Sequence, residues 1–157
     1  MWILTSEDEL WRIVLDGRQG VLATVARDGR AQLSNVLYVP DAAARVLRIS
    51  TTEQRVKARN LVRDPRAALH VSGSDFWHYA VAEGTAELSA VARAAGDETC
   101  MELLALHSAL YGQQGADDFF REMIAGGRLV VRLRVSHLYG LKADGGRRPM
   151  PHTTSSG

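Results

Sequence analysis

The chain has 157 residues, 46% hydrophobic and 24% charged, which fits one globular domain and excludes two of comfortable size. A net charge of +1 gives no global pull toward nucleic acid or a membrane, and no stretch nears the roughly 20 apolar residues of a membrane span. Cys100 is the only cysteine, which excludes an internal disulfide and a multi-thiolate zinc site and points to a reducing, cytoplasmic setting.

The opening MWILTSEDEL turns acidic at once and does not read as a signal peptide. Ser6 and Glu9 form a capping box for a first helix, with an apolar stripe at Leu10, Ile13 and Val14 and a stop at Gly17. Strand character begins at Gly20 with VLATVA, and Asp28-Gly29 is a hairpin signal. The return strand AQLSNVLYV ends at Pro40-Asp41, and a third strand, VLRIST, runs to Thr51. A helix is predicted from Glu53 to Arg63, capped by Thr52 and stopped before Pro65.

RAALHV reads as a fourth strand and FWHYAVAEGTAELS as a long fifth, with Gly84 marking a bend or bulge. Helical sequence dominates from Ala90 to Ala125, broken at Gly96 and from Gly112 to Gly115, and RLVVRLRVS closes the set as a strand. Residues 1–142 are thus expected to form the domain, and 143–157, rich in Gly, Pro, Ser and Thr, a poorly ordered tail. The turn spacing suits a mainly β (α+β) antiparallel barrel, not a doubly wound parallel sheet.

The common glycine-loop phosphate motifs are absent, as are the G-x-S-x-G, H-E-x-x-H and C-x-x-C signatures. The histidines at 70, 78, 107, 137 and 152 show no metal-ligand spacing and read as surface or satisfied core residues. Cys100, between apolar helical neighbours, reads as core.

One segment departs from this plainness. Between Ser50 and Asn60 a strand gives way to a helix, yet Arg55 and Lys57 occupy the first turn, where carboxylates belong. A phosphate would resolve the conflict, because free amides, the hydroxyls of Ser50, Thr51 and Thr52 and the two cations could converge on it. A solvated basic face with a Glu53–Lys57 pair fits the residues equally well. Ser34 and Asn35 are polar residues inside a strand, suited to a planar heterocycle or to a simple bulge. Trp77 and Tyr79 share a strand face, as a platform for a ring or as ordinary packing.

SNVLY (34–38), TTEQRVKARNLVRDPRAAL (51–69), FWHYAVAEGTAEL (76–88) and RLVVRLRVSHLYGL (128–141) together resemble the pyridoxamine-phosphate-oxidase-like proteins. Within that superfamily the chain is most similar to the short deazaflavin reductases that use coenzyme F420. The resemblance implies a homodimeric, six-stranded antiparallel split β-barrel (the FMN-binding split barrel) with flanking helices and cofactor sites at the dimer interface.

It further implies that Arg55 and Lys57, with Val56 between them, hold the cofactor phosphate, assisted by Ser50, Thr51 and Asn60. Ser34, Asn35 and Val36 would lie along the ring, and Trp77, His78 and Tyr79 would approach from the second subunit. The implied activity is hydride transfer between the deazaflavin and a small electron-poor molecule of enone, quinone or tetrapyrrole type, with Tyr79, His78 or solvent as proton donor. FMN in the same pocket is the alternative cofactor, and a non-catalytic flavin- or haem-binding module the alternative class. The arginine-rich R-L-x-P ending of the vitamin-B6 oxidases is not matched by HLYGLKADGGRRPMP. No nucleic-acid or membrane partner is implied.

Overall fold

A computed structural model describes residues 5–142; the tail expected at 143–157 lies outside the described residues. Helix α1 (Glu7–Asp16) opens as its capping box requires, with Ser6 Oγ accepting from Glu9 N at 3.2 Å. Its last carbonyls are then satisfied one by one. Gly17 N–H donates to Ile13 O, the Tyr38 hydroxyl to Val14 O at 2.6 Å, and Arg18 Nη1 to Leu15 O at 2.8 Å.

The strands are β1 (Gln19–Val25), β2 (Ala31–Leu37), β3 (Val39–Asp41), β4 (Val46–Thr52), β5 (Arg66–Ser72), β6 (Tyr79–Leu88) and β7 (Arg128–Leu141). They form one antiparallel ladder in the order β2-β1-β5-β6-β7-β4-β3. The two ends of that ladder are consecutive in the chain, separated only by Tyr38. The sheet is therefore closed by a single strand that bends, and counting β2–β3 as that strand gives the expected six-stranded barrel. Pro40 and Asp41 do not end the return strand. They pair with Leu47 and Val46, where proline is tolerated because it sits at the margin of the ladder.

The barrel interior is filled by Leu22, Tyr38, Leu47, Ile49, Leu69, Val71, Val131 and Leu133, all essentially inaccessible, and α1 covers one end with Leu10 and Val14. Helices α3 (Glu98–Tyr111) and α4 (Ala116–Ala125) form a second cluster against Val130, with Cys100 buried in it as its neighbours implied. Among the described residues no helix is long and apolar enough to cross a membrane.

Three further boundaries differ from the sequence reading. Helix α2 spans Val56–Arg63 with Arg55 at its N-cap, and Thr52 does not cap it. Thr51 and Thr52 instead continue the β4 ladder opposite Leu129 and Arg128, where β-branched residues pack well. Strand β6 starts at Tyr79, because Asp75 Oδ1 draws in the N–H groups of Trp77 and His78 and turns the chain there. Residues 90–97 are not helical. Asp97 caps α3 by accepting from Cys100 N at 2.8 Å and also takes the N–H groups of Arg93 and Ala94, which holds the preceding segment in a loop. At Gly84 the expected irregularity is a β-bulge between Glu83 and Gly84.

Candidate functional site

The β4–α2 junction leaves strand and enters helix within a few residues. Glu53 N–H donates to Gly127 O and Arg55 N–H to Thr52 O, so a tight turn delivers the chain into α2. Arg55 offers no side-chain cap and its carbonyl takes the Ala58 N–H, which leaves the N–H groups of Val56 and Lys57 at the start of α2 for an anion.

This junction forms one wall of a cavity of about 380 Å³. Strand β2 contributes Ser34, Asn35 and Val36, β4 contributes Ser50 and Thr51, and the helix start contributes Arg55 and Lys57. With Thr52, eight of the residues picked from sequence, scattered over positions 34 to 57, thus meet at one hollow. The far wall is Leu106, His107, Leu110 and Tyr111 of α3, and Arg128 enters from the start of β7.

Arg128 and His107 escaped the sequence reading. Arg128 faces Thr52 across the β4–β7 ladder, diagonal to Ser50, whose hydroxyl accepts from Arg128 Nη1 at 3.2 Å. His107 Nε2 lies 3.0 Å from the same oxygen.

The electrostatics are one-sided. Arg55, Lys57 and Arg128 surround the cavity, and none takes part in an ion pair among the described residues. Burial, and then the charges of Arg55 and Arg128, push the Lys57 ammonium below its ordinary pKa. Burial followed by Arg128 lowers the His107 imidazole, with Glu122 opposing. Several arginines elsewhere are ion-paired: Arg132 binds Glu102 and Glu87, Arg48 binds Asp41, and Arg66 binds Asp64.

One buried polar atom is left over. Ser34 Oγ is the only buried side-chain nitrogen or oxygen among the described residues without a hydrogen-bond partner, and Ser34 lines this cavity. An unpaired buried hydroxyl costs about 1–3 kcal/mol, which a polar ligand atom would recover.

The other expected site residues lie elsewhere. Val56 is exposed and does not line the cavity. Asn60 is buried on the inner face of α2, donating to Thr24 Oγ1 and accepting from Arg63. Trp77 is partly exposed, edge-on to Phe76, and His78 lines a different hollow beside α1, with Ser74 Oγ 2.9 Å from its Nδ1. Tyr79 stacks on His70 at 5.3 Å. His70 in turn lines a neighbouring cavity of about 410 Å³ that shares Asn35, Val36 and Leu37 with the first.

Comparison with known proteins places the fold. A profile described as Pyridoxamine 5'-phosphate oxidase matches residues 6–142. A solved structure named F420 reductase is 24% identical, over 78% of this chain and 89% of that one, with a TM-score of 0.60. A conserved hypothetical protein from Mycobacterium tuberculosis is 23% identical over 92% and 94% of the two chains, with a TM-score of 0.65. HutZ, the haem storage protein from Vibrio cholerae, is 15% identical over 85% and 93%, with a TM-score of 0.62. With nearly every described residue inside the matched span and a barrel closed by one bent strand, the chain belongs to the pyridoxamine 5'-phosphate oxidase family.

Proposed function

We propose that this protein is an F420-dependent oxidoreductase whose cofactor phosphate sits among Arg55, Lys57 and Arg128. The observation that carries the reading is the convergence of these unpaired cations on a cavity that also holds the orphaned Ser34 hydroxyl. Three like charges held together without a counter-ion are unfavourable, and a phosphate reverses the sign of that energy. The residues present fit such a group: the cations and Ser50 lie at the α2 end, and Ser34 to Val36 form the wall along which a flat ring would lie.

When bound, the deazaflavin supplies hydride transfer to an electron-poor acceptor such as an enone, quinone or tetrapyrrole. The protein's own part is to fix the phosphate, orient the ring along β2 and exclude water with Leu106 and Leu110. Trp77, His78 and Tyr79 lie away from this cavity within their own chain, so in this reading they complete the site of a second copy. Exposed Leu33 and Leu37 of β2 and Tyr139 of β7 offer apolar surface for such a homodimer. Tyr79 and His78 are the proton-donor candidates.

Titration of the apoprotein with F420 and with FMN tests the proposal. Micromolar or tighter F420 binding, lost in the Arg55→Ala/Lys57→Ala double variant, is expected. Preferential FMN binding would move the protein to the alternative cofactor with the same pocket, and binding of neither would refute the reading. Tight binding without turnover of activated alkenes or quinones would identify a carrier rather than an enzyme.

A further inference from the structure

We infer that His107 is a positioning residue that, together with Arg128, turns the Ser50 hydroxyl proton into the cavity toward an anionic oxygen. The inference rests on the phosphate site proposed above and assigns a role to a residue of α3.

The argument is a count of protons and lone pairs. A serine hydroxyl has one proton and two acceptor lone pairs. Arg128 can only donate, so its Nη1 contact at 3.2 Å occupies one lone pair of Ser50 Oγ. His107 Nε2, at 3.0 Å, either donates or accepts according to its tautomer. If it accepts, the single Ser50 proton is used inside the protein, and the hydroxyl presents only a lone pair to the cavity, which repels an anion. If Nε2 carries hydrogen, both lone pairs are filled and the Ser50 proton is left for the cavity that Ser50 lines. An acceptor-only ligand such as phosphate selects the second arrangement.

The surroundings hold His107 to this task. Its ring lies edge-on to Phe119 at 5.1 Å and tilted against Tyr111 at 5.7 Å. The helix that carries it is anchored by buried Leu103 and Leu106. Burial and then the nearby Arg128 charge disfavour an imidazolium, and a neutral ring with hydrogen on Nε2 donates to Ser50 Oγ.

The test is a double-mutant cycle on the whole protein. Ser50→Ala, His107→Ala and the pair are titrated with F420 and with the deazaflavin riboside that lacks the phosphate. If FMN is the better ligand, FMN and riboflavin take their places. Each single change is expected to weaken binding of the phosphorylated ligand about 5- to 15-fold. The double variant should be no weaker than the worse single one, and the riboside should be unaffected. His107→Gln, whose amide can still donate, should retain most of the affinity. Nitrogen-15 spectra of wild-type histidines in the complex should show the His107 proton on Nε2.

Additive losses, equal losses for the riboside, or a proton on Nδ1 alone would overturn the inference while leaving the phosphate site intact. Failure of the wild type to bind either phosphorylated cofactor would overturn both.

Discussion

Asn60 Nδ2 donates to Thr24 Oγ1 at 3.0 Å, and both side chains are buried. Thr24 passes its own proton to Gln32 Oε1 at 3.1 Å, while Asn60 Oδ1 accepts from Arg63 at 2.9 Å. A polar chain thus ties α2 to β1 and β2 beneath the candidate phosphate site. Asn60→Leu should leave Thr24 and Arg63 short of partners and cost about 1–3 kcal/mol in urea unfolding. Cofactor affinity should fall only as far as α2 is displaced.

The charge cluster predicts opposite signs for stability and binding. Lys57→Gln removes one of three crowded cations. Because Lys57 is partly solvated, the relief in the apoprotein is roughly 0.5 kcal/mol after screening, about 1–2 °C in Tm. Affinity for the phosphorylated cofactor should drop about tenfold. Paired thermal melts and titrations at low salt check both; a variant that is less stable and binds unchanged would contradict the assignment.

Tyr38 gives a pH dependence. Burial, the largest cause, raises its phenol well above the ordinary value, with Arg18 pulling down and Asp16 pushing up. A folded pKa above the unfolded one means that the contribution to stability is complete below the unfolded value of about 10. It is lost as pH rises from there toward the folded value. Wild type should therefore weaken steeply above about pH 10, and Tyr38→Phe should lack that slope. At neutral pH the same substitution leaves Val14 O without its hydroxyl donor and should cost about 1–2 kcal/mol in chemical unfolding.

Gly84 sits at the β6 bulge, where an added Cβ would collide with the Arg134 carbonyl. Backbone cannot rotate aside as a side chain can. Gly84→Ala should cost about 3 kcal/mol or more, read as a large fall in the urea midpoint.

The sequence exposed what local physics controls. Alternating strands, the Ser6 cap, the Asp28-Gly29 turn and the misplaced cations at 55 and 57 all act over a few residues. His107 could not be found that way: it sits in an apolar helix 57 positions from Ser50, and only the packing of α3 on the barrel brings them together. Arg128 is hidden among alternating arginines, and its distinction from Arg132 and Arg134 depends on which strand residue it faces and on the absence of a nearby carboxylate. Thr52 carried a valid capping signal that lost to the β4–β7 ladder. Asp97 was a readable cap that the helix-prone residues before it concealed.

Lys142 N–H donates to Thr5 Oγ1 at 3.0 Å, so the beginning and end of the described chain meet. The order in which the elements are strung is then separable from the shape they make. A circular permutant that bridges Thr5 to Lys142 and opens at Asp28-Gly29, where a Cβ added to the glycine would meet nothing within 4 Å, would keep every wall of the cavity on uncut strands and helices. The cut would free the two strands of one hairpin from each other's connection, while the bent segment through Tyr38 continued to hold the barrel shut.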